Sequence, residues 1–166
     1  GTENVGIGAN ALDSSTTAGY NTAVGTGAMK DCTTGSINVA IGREAMENLT
    51  TGAKNVGVGR GTLGGTLTGD ENVGVGDSAG AAMTSGLSNV AIGAEALKAN
   101  TTGANNTAVG KGALQTVTTF GANVAVGTRA LQNATSAEDN VAIGYQTATN
   151  LTTGDRNIFM GHNTQP

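Results

Sequence analysis

Three-residue apolar runs, mostly β-branched at both ends with a small residue between, recur along the whole chain. Val39-Ala40-Ile41, Val56-Gly57-Val58, Val90-Ala91-Ile92 and Val124-Ala125-Val126 are examples. Each run is preceded by Asn and followed by Gly. The Asn/Gly pairs are Asn4/Gly8, Asn21/Gly25, Asn38/Gly42, Asn55/Gly59 and Asn72/Gly76, then Asn89/Gly93, Asn106/Gly110, Asn123/Gly127, Asn140/Gly144 and Asn157/Gly161. Every step is 17 residues, with no insertion or deletion across ten copies. With the Asn as position 1, the unit reads N-[VT]-[GA]-[IV]-G-x-x-[AT]-[LM]-x-x-x-T-[TS]-G-x-x. A fixed period of this size is the mark of a stacked-repeat architecture. The short β-branched runs suit strands, and a Gly with β-branched residues in every would-be turn opposes a helix. The sequence therefore predicts one all-β domain over residues 1–166, a parallel β-solenoid of about ten 17-residue coils starting at Asn4. Coils stacked at ~4.8 Å would make a rod of roughly 43 Å over the nine steps from Asn4 to Asn157.

Polar positions give the coil its outline. All twenty charged residues fall at positions 6, 7, 10, 11, 16 and 17, as in Arg43 and Glu44, Lys30 and Asp31, and Asp70 and Glu71. Three wet corners thus separate three uncharged segments. Gly at position 5 fits a turn with positive φ or a close backbone approach. The Asn at position 1 can stack its amides in a ladder along the axis. Within the strand, positions 2 and 4 point to one side and position 3 to the other. A strand with one wet face is polar on that face, and neither face is polar here. Both sides are expected to be covered, one by the coil's own interior and the other by another chain.

Composition narrows the chemistry. The chain has 28 Gly, two Phe, two Tyr and no Trp, so an aromatic core is excluded. A net charge of −4, dispersed along the chain, argues against nucleic acid as a partner, since that needs clustered Lys and Arg. No stretch approaches the ~20 apolar residues of a membrane helix, so no membrane insertion is expected. The single cysteine, Cys32, can form no intrachain disulfide and is read as an inert filler thiol in the column of Ser15, Leu49, Thr66 and Met83.

Local motifs dissolve into the lattice. Gly76-Asp77-Ser78-Ala79-Gly80 matches a hydrolase nucleophile elbow, but the only histidine, His162, lies five coils away, ~24 Å by stacking. Gly57, Gly59 and Gly61 resemble a phosphate loop without the helix that such a loop requires. The carboxylate pairs Asp70/Glu71 and Glu138/Asp139 lack the spaced ligands of a calcium loop and are read as solvated corners. No catalytic residue, metal site or cofactor is expected, and the chain is not read as an enzyme. Glycosylation sequons at Asn48, Asn100, Asn133 and Asn150 arise from the Asn- and Thr-rich composition.

The NVAIG, NTAVG and NVGVG segments with Thr-Gly turns resemble the heads of trimeric autotransporter adhesins and the repeat regions of phage tail fibres. Asn106-Thr107-Ala108-Val109-Gly110 followed by Ala113-Leu114 is representative, and the resemblance runs from Asn4 to Gly161. The coil is longer than that usual in autotransporter heads. The resemblance implies a left-handed β-roll and three chains around one axis. It also implies an extracellular fibre segment, on a virion tail fibre or a bacterial surface, that contacts a host glycan or protein. It transfers no ligand-binding residue. The parent protein is expected to continue beyond one or both ends, and Phe159, which replaces the small position-3 residue only in the last coil, is expected to cover an end of the core.

The Thr columns at positions 13 and 14 offer an alternative. Neighbouring residues in a strand face opposite ways, so one column alone could form a flat outward array. Position 14 supplies Thr17, Thr34, Thr51, Thr68, Thr102, Thr119 and Thr153. Such an array, repeated at ~4.8 Å, would suit a monomeric ice-binding solenoid. The plainer reading is that these Thr close a turn and bond between coils.

Overall fold

The computed structural model describes all residues from 1 to 166. Ten three-residue strands form one parallel sheet: β1 (Val5–Ile7), β2 (Thr22–Val24), β3 (Val39–Ile41), β4 (Val56–Val58), β5 (Val73–Val75), β6 (Val90–Ile92), β7 (Thr107–Val109), β8 (Val124–Val126), β9 (Val141–Ile143) and β10 (Ile158–Met160). Their order in the sheet is the order of the sequence. Each strand pairs with the next at a shift of 17, as in Val39↔Val56 and Val56↔Val73. The chain is the β-solenoid that the period predicts.

Only one of the three uncharged segments of each coil is a strand, yet coils pair around the whole perimeter. Of 102 backbone–backbone hydrogen bonds, 18 lie within the sheet. Most of the rest still run from one coil to the next, as in Leu97 N–H to Ala113 O (3.0 Å) and Thr84 N–H to Thr101 O (2.9 Å). What interrupts extended structure is a set of left-handed residues. Twenty-five non-glycine residues have φ between 47° and 62°, all at positions 7, 9 and 17. Each such residue costs roughly 1–2 kcal/mol, and the recurring inter-coil bonds hold it there. At position 9 the left-handed turn has a clear use. Ala96 and Leu97 are consecutive and both fully buried, an arrangement that simple strand alternation forbids.

The interior is narrow. It is lined by Ala or Gly of position 3, Ala or Thr of position 8, mostly Leu or Met of position 9 (Gly80 and Ala148 in two coils), and one variable side chain at position 12. Buried Met29, Met46, Leu97, Leu114 and Leu131 supply its bulk. Coil 4 departs from the column. Thr66 at position 12 is exposed, and the next residue, Leu67, is fully buried among Leu49, Leu63 and Met83. The one break in the position-13 Thr column is thus a shift of the inward residue by one place. Phe159 is half-buried and packs against the core of the C-terminal coils.

Glycine at position 5 is required twice over. All ten copies have φ between 119° and 135°. A Cβ on Gly93 would lie 2.6 Å from the carbonyl carbon of Gly110 in the next coil. Carbonyls of successive coils pass too close here for any side chain.

Candidate functional site

The coil's two broad features are an apolar face made by the strands and a Thr face made by positions 13 and 14. Between them runs a polar spine that fixes both. Asn of position 1 is buried in the eight copies from Asn21 to Asn140. Its Oδ1 accepts the backbone N–H of the next Asn, as in Asn38 N–H to Asn21 Oδ1 at 2.9 Å. Its Nδ2 donates to the preceding Oδ1 and to the position-15 carbonyl of its own coil, as in Asn72 to Asn55 (3.2 Å) and to Gly86 (2.8 Å). One amide therefore ties coil to coil and closes its own coil. The predicted ladder exists, and it sits at the entrance to every strand.

From that spine each strand turns its small residue inward. Ala23, Ala40, Ala91, Ala108, Ala125 and Ala142 are fully buried. The β-branched residues of positions 2 and 4 face outward. Ile41, Ile92, Val126 and Ile143 are 42, 39, 36 and 38 % exposed within the body of the solenoid. Eighteen of the twenty outward strand side chains are Val, Ile or Met, and the two others are Thr22 and Thr107. The result is a continuous, uncharged stripe roughly 43 Å long on the ~4.8 Å stacking distance. Strand alternation was legible in the sequence, but not which side was inner. The narrow bore decides: it has room for alanine, and the larger side chains go outside.

The two Thr columns separate in the structure. Position-13 hydroxyls donate to the position-13 carbonyl of the next coil, as in Thr16 to Thr33 (2.9 Å), Thr84 to Thr101 (3.0 Å) and Thr101 to Thr118 (3.2 Å). Position 14 points out. Thr17, Thr34, Thr51, Thr68, Thr102, Thr119 and Thr153 are all exposed, with Ser85 and Ser136 completing the column. Only Thr68 among the seven threonines donates its hydroxyl within the chain, to Thr84 O at 3.3 Å.

Charged corners flank both features. Lys54 Nζ lies 3.0 Å from Glu71 and Arg60 Nε 2.7 Å from Asp77, each pair reaching from one coil to the next. Such exposed pairs contribute at most about 1 kcal/mol each. Glu95 is held below the usual carboxylate range, first by its hydrogen bond from Lys98 and then by the charge of that residue.

The motif residues stay apart. Ser78 is half-buried, with its hydroxyl near Asp77 (3.4 Å), in the coil that begins at Asn72. His162 stacks on Tyr145 at 5.3 Å in the C-terminal coils. No group of three or more His, Cys, Asp or Glu side chains comes together, and no pocket interrupts the surface. Of the sequon asparagines, Asn100 is fully buried, Asn48 donates to Gly64 O at 2.6 Å, and Asn133 and Asn150 are exposed. Comparison with protein-family models, with curated proteins and with solved structures finds no match to this chain.

Proposed function

We propose that this solenoid is a structural and adhesive fibre segment, three copies of which pack by their NVAIG faces around a common axis. In this reading it forms a head or stalk of a phage tail fibre or of a bacterial surface adhesin. It works outside the cell by reaching toward and contacting a host glycan or protein. The observation that carries the reading is the outward stripe of half-buried to exposed Val and Ile along β1–β10. Contiguous apolar surface of this kind marks an interaction site. Its repeat at every coil and its lack of charge fit a partner with the same repeat, which is another copy. The resemblance of the NVAIG units to trimeric fibres supports the number three.

Light scattering after size exclusion tests this. A solution mass near three times the formula mass of 16.2 kDa is expected; a mass at one times that value overturns the assembly.

A second reading rests on the position-14 column. Its exposed hydroxyls, repeated at every coil and largely without partners in the chain, are available to an ordered water lattice. A monomeric ice-binding solenoid would leave this face open and would depress the freezing point. Thermal hysteresis by a monomeric sample, abolished by Thr51→Lys and Thr102→Lys, would favour it over the fibre.

A further inference from the structure

One recurring seam closes the Thr side of the rod. The N–H groups of positions 13, 14 and 15 converge on the position-13 carbonyl of the next coil. Thr33, Thr34 and Gly35 reach Thr50 O (3.2, 3.2 and 3.1 Å), and Thr84, Ser85 and Gly86 reach Thr101 O (2.9, 3.2 and 3.3 Å). Among the steps from coil 1 to coil 9, only that from coil 7 to coil 8 has no such bond. The N–H groups of residues 117–121 find no acceptor in the chain, and Thr135 O receives none of them. The Thr118 hydroxyl makes no bond either, although those of Thr84 and Thr101 cross to the next coil. Neighbouring axial bonds are stretched at the same step. Asp139 N–H lies 3.5 Å from Gly121 O, where Ser88 to Asp70 measures 3.1 Å. Asn123 N–H lies 3.2 Å from Asn106 Oδ1, against 2.8 Å for Asn72 to Asn55. The strand side stays tight: Gly127 N–H to Val109 O is 2.7 Å, and β7 and β8 pair in register.

Phe120 supplies the cause. It stands at position 15, which is Gly35, Gly52, Gly69, Gly86 and Gly103 in other coils. A side chain at this position points at the next coil: a Cβ on Gly52 would lie 2.6 Å from Gly69 O, and one on Gly86 2.7 Å from Gly103 O. A methyl is accommodated, because Thr16, Thr17 and Ala18 N–H keep Thr33 O at 3.2, 3.1 and 3.2 Å. The benzyl group is too large for that gap; it is half-buried and packs against the core of the C-terminal coils. An unpaired corner alone does not open the seam. In coil 4 the N–H groups of residues 64–67 are also without backbone partners, yet Thr68 and Gly69 reach Thr84 O at 2.7 and 3.1 Å.

From this we infer that residues 117–121 form a strap that lifts from coil 8 while β7 and β8 stay paired, with Phe120 as the wedge that holds it ready. The strap is anchored at both ends. Thr116 N–H lies 3.2 Å from Gln132 O, and Ala122 N–H lies 3.0 Å from Ala104 O. Thr118 and Thr119 are exposed, so water reaches the strap and few protein bonds are exchanged when it moves. Segments with few inter-element bonds are the ones that open locally at low free-energy cost. The strap gives an otherwise uniform rod one point that yields before its strands part. It lies on the Thr side, so it acts in a free chain and in an assembly packed by the strand face.

Hydrogen exchange read at single amides of the native protein tests this. After correction for intrinsic rates, Asn123 and Asp139 should exchange at least about tenfold faster than their counterparts Asn72 and Ser88. Gly127, bonded across the same step on the strand side, should stay as slow as Gly93, whose bond to Val75 O is also 2.7 Å. Equal rates at Asn123 and Asn72 and at Asp139 and Ser88 would overturn the strap. Gly127 exchanging as fast as Asp139 would overturn it too, since the two coils would then part as wholes. Phe120→Ala, which leaves the methyl that Ala18 shows to be tolerated, should slow Asn123 and Asp139 to the pace of their counterparts. Unchanged rates in that variant would overturn the role of the ring, and the wild-type comparison needs no variant at all.

Discussion

Asn89 grips Asn72 in the preceding coil through two donors: its backbone N–H lies 3.0 Å and its Nδ2 3.1 Å from the same Oδ1. The same Nδ2 lies 2.8 Å from Gly103 O, which closes the coil that Asn89 begins. Both residues are fully buried.

Asn72→Ala removes that acceptor and also the donor to Gly86 O, leaving buried polar groups of two coils unpaired. Each such group costs about 1–3 kcal/mol. Chemical denaturation should therefore show a loss of several kcal/mol. An Asn72→Ala variant within about 1 kcal/mol of the parent would mean that water replaces the ladder at little cost.

Glycines should divide sharply by column. Gly93 has φ +123° and no room for a Cβ, whereas Gly61 has φ +59° and nothing within 4 Å of a Cβ placed there. Gly93→Ala should abolish cooperative folding or cost more than about 3 kcal/mol, because strain and an inter-coil clash add. Gly61→Asn should stay within about 1 kcal/mol, since Asn tolerates this region. Circular dichroism melts of the two variants would check the contrast.

Asn100 occupies the inward position 12 that Leu49, Met83 and Val117 fill in other coils. It is fully buried, and neither Nδ2 nor Oδ1 has a partner. Asn100→Leu exchanges a desolvated amide for an apolar side chain of similar size. A gain of about 1–3 kcal/mol is expected, read as a higher denaturant midpoint with unchanged slope. A fall in the midpoint would show that the amide is satisfied by water in solution.

Burial pushes the Cys32 thiol above its ordinary value, with hydrogen bonding to the Gly35 backbone acting more weakly in the other direction. The folded chain thus favours the neutral thiol. Its contribution to stability is whole below the unfolded thiol value and is lost as pH rises from there through the folded one. Wild-type stability should fall more steeply above pH about 8.5 than that of Cys32→Ala. An aromatic disulfide reagent should react with the thiol only on unfolding; rapid reaction in native buffer would contradict its burial.

Period, coil count, the strand at positions 2–4, the Asn ladder, the Gly of position 5 and the wet corners were all legible in the residues. Those features rest on side-chain chemistry that recurs at a fixed spacing, so ten copies speak as one. Which strand face is inner emerges only when the coil closes. Alternation separates Ala40 from Val39 and Ile41 but is blind to the bore of the coil, and the bore admits only the alanine. Folding also divides the two Thr columns: the Thr16 hydroxyl bonds to the next coil, while its neighbour Thr17 faces outward. Least legible were the left-handed residues. Ile37, Glu71 and Arg129 adopt φ of 60°, 61° and 60°, although no intrinsic preference places a β-branched or long side chain there. Local signals were sparse: Gly27, Gly61 and Gly112 with Asn10 and Asn163 at position 7, Gly80 at position 9, and Asn105 and Asp139 at position 17. Closing a 17-residue coil in register with its neighbours imposes that geometry, and the strain is offset by bonds that exist only once the coils are stacked.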